Sequence, residues 1–317
     1  MTRTHILLLF ILAFTGVQAR TTLEKSQLEL ADPFILLEGD TYYAYGTHSP
    51  DGFQVYASKD LRTWEYRGMA LHKDSTTAKA RFWAPEVYKR GDTFYLFFTG
   101  LLHLYVATAK SPVGPFSQPV RVPIYKERAI DASLTFDDDG TPWLFFARLI
   151  DGNTIYSARM NDSLTHVLPE TVQYVTSVSQ PWETDPKYPD AKIAEGPFAI
   201  KVGNTWALTY SANDCRSQNY GIGLLTSNSL AGPWKKQDNS PIFQNAYGMM
   251  GTAHHAFFRD KHGRLHIVFH AHNSPEQMGP RLLYIARAKF KQHRNGTVTF
   301  KYARRPIVPK VIGKTSL

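Results

Sequence analysis

One pattern recurs five times along this chain: a turn, then a strand rich in aromatic and β-branched residues. It reads EGDTYYAYGT from Glu38, RGDTFYLFFTG from Arg90, DDGTPWLFFAR from Asp138, VGNTWALTYSA from Val202 and KHGRLHIVFHAH from Lys261. Gly-Asp, Asp-Gly, Gly-Asn and His-Gly supply hairpin-turn chemistry. A further strand follows each copy: FQVYAS from Phe53, LYVATAK from Leu104, TIYSAR from Thr154, IGLLTS from Ile222 and LLYIARAKF from Leu282. The segments DLRTWEYRG, GPFSQPV and GPWKKQ are expected to open outer strands. Successive copies start roughly 50 to 65 residues apart. Helical periodicity is nearly absent. Several short strands in each of five units predict an all-β fold, a five-bladed β-propeller in a single domain. A β-sandwich would give fewer strands and no repeat of this length. A parallel β-helix would repeat at much shorter spacing.

The ends of the chain carry separate signals. Arg3 precedes an unbroken apolar run, Ile6 to Phe14, and Val17-Gln18-Ala19 resembles a small-x-small cleavage site. This order predicts a signal peptide over 1–19, leaving 20–317 as the propeller. The run falls short of the roughly 20 apolar residues that cross a bilayer, so no membrane insertion is expected. The mature protein is therefore expected to be exported, to the periplasm or beyond, and to be a monomer. After about Phe300 only a short basic tail is expected. The single cysteine, Cys215, excludes an intrachain disulfide. The fold must then rest on its core, which a chain with 43% hydrophobic residues can supply. The net charge of +9 is spread along the sequence, with KAR, KYAR and RR as its densest groups. Without a basic helix or a run of five, it reads as a solvated surface rather than a nucleic-acid site, with weak attraction to an acidic pectin-like polymer as the functional alternative.

Just before the hairpins lie five distinctive segments. They are Leu30-Ala31-Asp32-Pro33-Phe34, Trp83-Ala84-Pro85-Glu86-Val87, Ile130-Asp131-Ala132-Ser133-Leu134, Ala194-Glu195-Gly196-Pro197-Phe198 and Gly251-Thr252-Ala253-His254-His255. Each sets an ionisable residue among apolar or small neighbours, in one register of the repeat. Closing a ring of blades brings such positions to one axis. Glycoside cleavage needs an acid to protonate the leaving oxygen and a carboxylate on the opposite face. A third carboxylate nearby raises the pKa of the acid by like-charge repulsion. Asp137-Asp138-Asp139-Gly140 is instead an exposed turn.

In these segments, taken in order, the sequence resembles glycoside hydrolase family 43, from Asp32 to about Phe290. The resemblance implies a five-bladed propeller and an inverting mechanism. It implies Asp32 as general base, Glu195 as general acid, and Asp131 as the residue that tunes and orients Glu195. His254 matches a histidine that helps hold a hydrated calcium ion in many members, although this chain has Gly-Thr-Ala-His where the usual form is Gly-Pro-Gly-His. His255, His270 and His272 are further residues for that cavity. One histidine with waters suits calcium better than zinc. Trp83, Phe34 and Phe53 are candidates for packing against sugar, together with Glu86 beside Trp83. Arg281 resembles an arginine that contacts sugar or acid. The expected partner is a plant cell-wall polysaccharide. The expected activity is α-L-arabinofuranosidase, with β-xylosidase, endo-xylanase-type and endo-arabinanase activities as alternatives. A retaining fructan enzyme would show Trp-x-Asn-Asp, Arg-Asp-Pro and Glu-Cys, none of which is present. A non-catalytic sugar-binding propeller would need no spaced carboxylates, and a protein-binding one would carry Trp-Asp blade signatures.

Overall fold

The computed structural model describes residues 25–312, so the segment assigned to a signal peptide lies outside the described residues. Its strands form five antiparallel blades around an axis. Blade 1 holds Ala31–Glu38, Thr41–Thr47, Gly52–Ser58 and Thr63–His72, from the axis outward. Blade 2 holds Trp83–Arg90, Thr93–Gly100 and His103–Ala109. Blade 3 holds Ala129–Phe136, Pro142–Leu149, Asn153–Arg159 and Gln173–Thr176. Blade 4 holds Ala194–Val202, Thr205–Ala212 and Gly221–Ser227, edged by Lys235–Lys236 and Phe243–Gln244. Blade 5 holds Ala253–Arg259, Leu265–Ala271, Leu282–Gln292 and Val298–Tyr302. The innermost strands contact one another in cyclic order, which closes the ring.

The repeated hairpin signal is the turn between the first and second strand of each blade. Gly39, Gly91, Gly140, Gly203 and Gly263 all have positive φ there, a conformation that favours glycine. The second strands are buried on both faces because a blade packs on either side. Thr205–Ala212 is buried at every residue. The core is thus a set of layers between blades. Phe97, Leu104 and Val106 of blade 2 meet Leu134, Leu144 and Phe146 of blade 3. Trp143 and Phe145 of blade 3 meet Trp206, Leu208 and Tyr210 of blade 4. Each such side chain contributes about 1.5–3 kcal/mol on burial.

Two expectations change. GPFSQPV forms no strand; only Ser117 bridges to Thr108, and blade 2 stays three-stranded. The basic tail is partly structural. Lys310–Ile312 lies parallel to Thr63–Glu65 and antiparallel to Lys25–Gln27, so both ends of the described chain complete blade 1.

Candidate active site

All five innermost strands begin with the same irregularity. Pairing with the second strand shifts between Ala31 and Phe34, between Trp83 and Glu86, between Glu195 and Phe198, and between Ala253 and His255. In blade 3 it shifts opposite Phe145 and Ala147. The residue at each bulge is left-handed, with φ 46° at Asp32, 46° at Ala84, 61° at Asp131, 52° at Gly196 and 41° at His254. For a residue other than glycine that backbone costs about 1–2 kcal/mol. The bulge re-aims the side chain toward the axis.

Each bulge N–H is met by a side chain of the preceding blade. Asp32 donates to His270 Nδ1 at 3.1 Å, Ala84 to Thr47 Oγ1 at 3.0 Å, Asp131 to Thr99 Oγ1 at 3.0 Å and His254 to Ser211 Oγ at 2.9 Å. These acceptors share one register, opposite the residue before the bulge. In blade 3 that place belongs to Ala147, opposite Ile130, whose side chain accepts nothing. Gly196 N–H donates instead to Asp131 Oδ2 at 3.0 Å. The missing acceptor of blade 3 thereby ties Asp131 to the backbone beside Glu195. The expectation of one register for all the acids holds for Asp32 and Asp131, and His254 shares it. Glu195 lies one residue before the bulge, and Glu86 two after.

Asp32 is buried against Arg281, whose Nη1 donates to Oδ1 at 2.8 Å, while Thr47 Oγ1 donates to Oδ2 at 2.7 Å. Burial opposes ionisation of Asp32. The charge of Arg281, together with His254, His270 and the Thr47 bond, outweighs it and holds the carboxyl well below the usual range. Glu195 receives Tyr220 OH on Oε1 at 2.8 Å and Asn153 Nδ2 on Oε2 at 2.7 Å. Burial overrides these donors and lifts its pKa to about 7, with ionised Asp32 adding to the rise. Asp131 is raised well above its ordinary value by burial, then by the negative charges of Glu195 and Asp32. Asp32 supplies like charge to both Glu195 and Asp131. The site sets one carboxyl held as an anion, Asp32, beside two, Glu195 and Asp131, whose pKa values are raised.

The remaining residues divide. Trp83 is half-buried at the start of its strand, on the same end of the ring as the carboxylates. Phe34 is buried against Tyr88, with centroids 5.4 Å apart, and Phe53 is 0% exposed between Phe82 and Phe98. Both belong to the layers between blades, which corrects their assignment to the sugar pocket. Glu86 faces a small axial cavity of about 10 Å³, also lined by Asp32, Asp131 and His254, with room for about one water. Burial drives its pKa up to about 8 against hydrogen bonds from Tyr88 and Ser133. Glu86 is half-buried and shares this cavity with Asp32 and Asp131. His255 Nε2 pairs with Thr209 Oγ1 at 2.6 Å and His272 Nε2 with the Cys215 carbonyl at 2.8 Å.

His254 turns Nδ1 toward Asp32 Oδ1 at 3.3 Å and lies 3.5 Å from Tyr220 OH. Among the described residues no three His, Cys, Asp or Glu side chains form a metal cage. The donors fit a calcium ion only as one imidazole, with water making up its six to eight ligands.

Tyr220 and Asn153, which hold both oxygens of Glu195, were not singled out in the sequence. Asn153 sits in a Asp-Gly-Asn turn, where it reads as turn chemistry, and Tyr220 is one of 17 tyrosines.

Comparison with known proteins agrees with this geometry. An endo-1,4-β-xylanase from Bacteroides thetaiotaomicron superposes with a TM-score of 0.85 at 38% identity, over 92% of this chain and 100% of that one. An endo-arabinase from the same organism does so with a TM-score of 0.66 at 27% identity, over 81% and 93%. The extracellular exo-α-(1→5)-L-arabinofuranosidase ArbA of Cellvibrio japonicus is 23% identical, over 79% of this chain and 81% of that protein. The match to Glycosyl hydrolases family 43 runs over residues 26–295, nearly the whole ring, and the chain belongs to that family of glycoside hydrolases.

Proposed function

We propose that the chain is an inverting glycosidase that releases α-L-arabinofuranose from a plant cell-wall polysaccharide such as arabinan or arabinoxylan. The carrying observation is the division of protons: Arg281 keeps Asp32 ionised while burial lifts Glu195 to about 7. In this reading Glu195 gives its proton to the glycosidic oxygen as the bond to the anomeric carbon breaks and its electron pair leaves with the departing sugar. A water attacks that carbon from the opposite face and passes a proton to Asp32. Asn153 Nδ2 can only donate, so it favours the Glu195 anion left after transfer. Asp131 orients the acid through Gly196 N–H. Trp83 and Arg281 are the remaining candidates for sugar contact.

The arabinofuranosidase reading is supported by the similarity to ArbA and to a Streptomyces avermitilis extracellular exo-α-(1→5)-L-arabinofuranosidase, 27% identical over 78% of this chain and 56% of that protein. A second reading, action on xylan, is favoured by the 38% identity to the Bacteroides endo-1,4-β-xylanase. Hydrolysis of aryl α-L-arabinofuranoside, aryl β-D-xyloside and linear arabinan, beside a Glu195→Gln variant, separates these. Arabinose from the first, lost in the variant, supports the assignment. Xylose or arabinan oligosaccharides move it to the alternatives, and equal activity in the variant refutes the acid role.

The same reading includes export, supported by the extracellular relatives, and a monomer, checked by light scattering. Among the described residues no helix is long and apolar enough to cross a membrane. A calcium ion on His254 would add positive charge at the axis. Elemental analysis of protein purified with calcium, beside His254→Ala, tests it.

A further inference from the structure

A second cavity, of about 390 Å³, opens on the active-site end of blade 3. Its wall includes Ile150, Asn153, Tyr156, Tyr174 and Lys192. Three observations tie it to the chemistry. Asn153, which lines it, is the residue that donates to Glu195 Oε2. The Asn153 backbone is pinned by its N–H to the Lys192 carbonyl at 2.8 Å, so cavity and acid share one rigid corner between blades 3 and 4. The ring of Tyr174 is 58% exposed on the cavity rim. It meets Tyr156 edge-on, with centroids 6.0 Å apart at 89°, and Tyr156 is backed by the Arg148 guanidinium at 4.7 Å. An aromatic ring held in place yet left in water is a platform for the apolar face of a sugar.

A general acid protonates the leaving group, so the leaving group lies on the acid's side of the cleaved bond. Asn153 links this cavity to the acid, lining the one while its amide donates to Glu195 Oε2. We propose that it receives the leaving-group part of the substrate, the pentose units of the chain next to the cleaved residue, with Tyr174 as their stacking platform. This rests on the reading of Glu195 as the acid. It makes the protein a reader of polymer rather than of the released sugar alone.

The test compares kcat/KM on linear pentose oligosaccharides, of arabinan and of xylan, with that on the matching aryl pentoside, in the parent, Tyr174→Ala and Tyr174→Phe. The ratio of oligosaccharide to aryl glycoside should fall roughly three- to tenfold in Tyr174→Ala, the scale of one aromatic contact, and recover in Tyr174→Phe. An unchanged ratio, or an equal loss on both substrates, overturns the proposal. A binding measurement separates this from failure of the catalytic reading. Glu195→Gln protein should bind the better of the two oligosaccharides more tightly than the same protein carrying Tyr174→Ala. Equal affinity, or no binding of either oligosaccharide, refutes the platform whatever the acid proves to be.

Discussion

The buried ion pair of Lys236 and Glu183 gives a prediction whose size follows from the structure. Glu183 is 0% exposed, and its carboxylate takes the Lys236 ammonium, the Tyr210 hydroxyl and the N–H groups of Ser179 and Gln180. Lys236 also donates to the Ser177 carbonyl at 2.6 Å and to Ser179 Oγ at 3.0 Å. One ammonium thus fastens the segment after Thr176 to the edge of blade 4. Lys236→Met keeps the length of the stem but strands the carboxylate. Removing one partner of a buried pair costs about 3–5 kcal/mol. The Lys236 side chain keeps 13% exposure, and three donors to Glu183 survive, which sets the loss at the lower end, about 3 kcal/mol. A chain of about 300 residues unfolds with an entropy near 0.6 kcal/mol/K, so Tm should fall by about 5 °C. The assay is thermal unfolding of the parent, Lys236→Met and the Lys236→Met/Glu183→Gln pair, at pH 7. The double variant, with no buried charge left, should regain part of the loss. A fall under about 1 °C, or a double variant weaker than Lys236→Met, would refute the claim that an unpaired charge is the cause.

Three further outcomes are expected. kcat/KM should decline above pH of about 7, as Glu195 loses its proton, and stay level on the acid side, because Arg281 keeps Asp32 ionised; a pH profile between 4 and 9 checks both limbs. Glu86→Gln should match the parent in stability at low pH and exceed it at high pH. A folded pKa raised to about 8 means stability present below the unfolded value and lost as pH rises through the folded one, so the gap should open across that window and reach a few kcal/mol by urea unfolding at pH 9. Gly152→Ala would place a Cβ 2.1 Å from the Lys192 carbonyl at a φ of 93°, so it should displace Asn153 and lower kcat while substrate binding changes less, read in steady-state kinetics.

The blade count was legible because each hairpin repeats its glycine and its aromatic strand. The three acids were legible because each stands among apolar neighbours, where solvated carboxylates do not. What lay hidden follows from the bulge. An extra residue resets the alternation of faces, so the pattern around Asp32 could not tell that Phe34 turns into the layer between blades. The same reset hid the one-residue offset of Glu195. The acceptors Thr47, Thr99 and Ser211 read as ordinary strand residues, since their use depends on a donor from the next blade. Tyr220 and Asn153 act across folded distance, with no local pattern to mark them. The closing strand at Lys310–Ile312 is three residues long, too short to show any period.

That strand also sets an order of events. Its partners are Thr63–Glu65 and Lys25–Gln27, so the first blade is finished by a strand nearly 250 residues further along the chain. The middle blades can assemble from nearby residues, but the circle stays open until blade 5 reaches blade 1. Asp32 takes its backbone partner, His270, and its counter-charge, Arg281, from the last blade. Until the ring shuts, the pocket lacks the groups that hold one of its acids as an anion. The anionic state of Asp32 therefore depends on the docking of blade 5 against blade 1, two elements far apart in sequence.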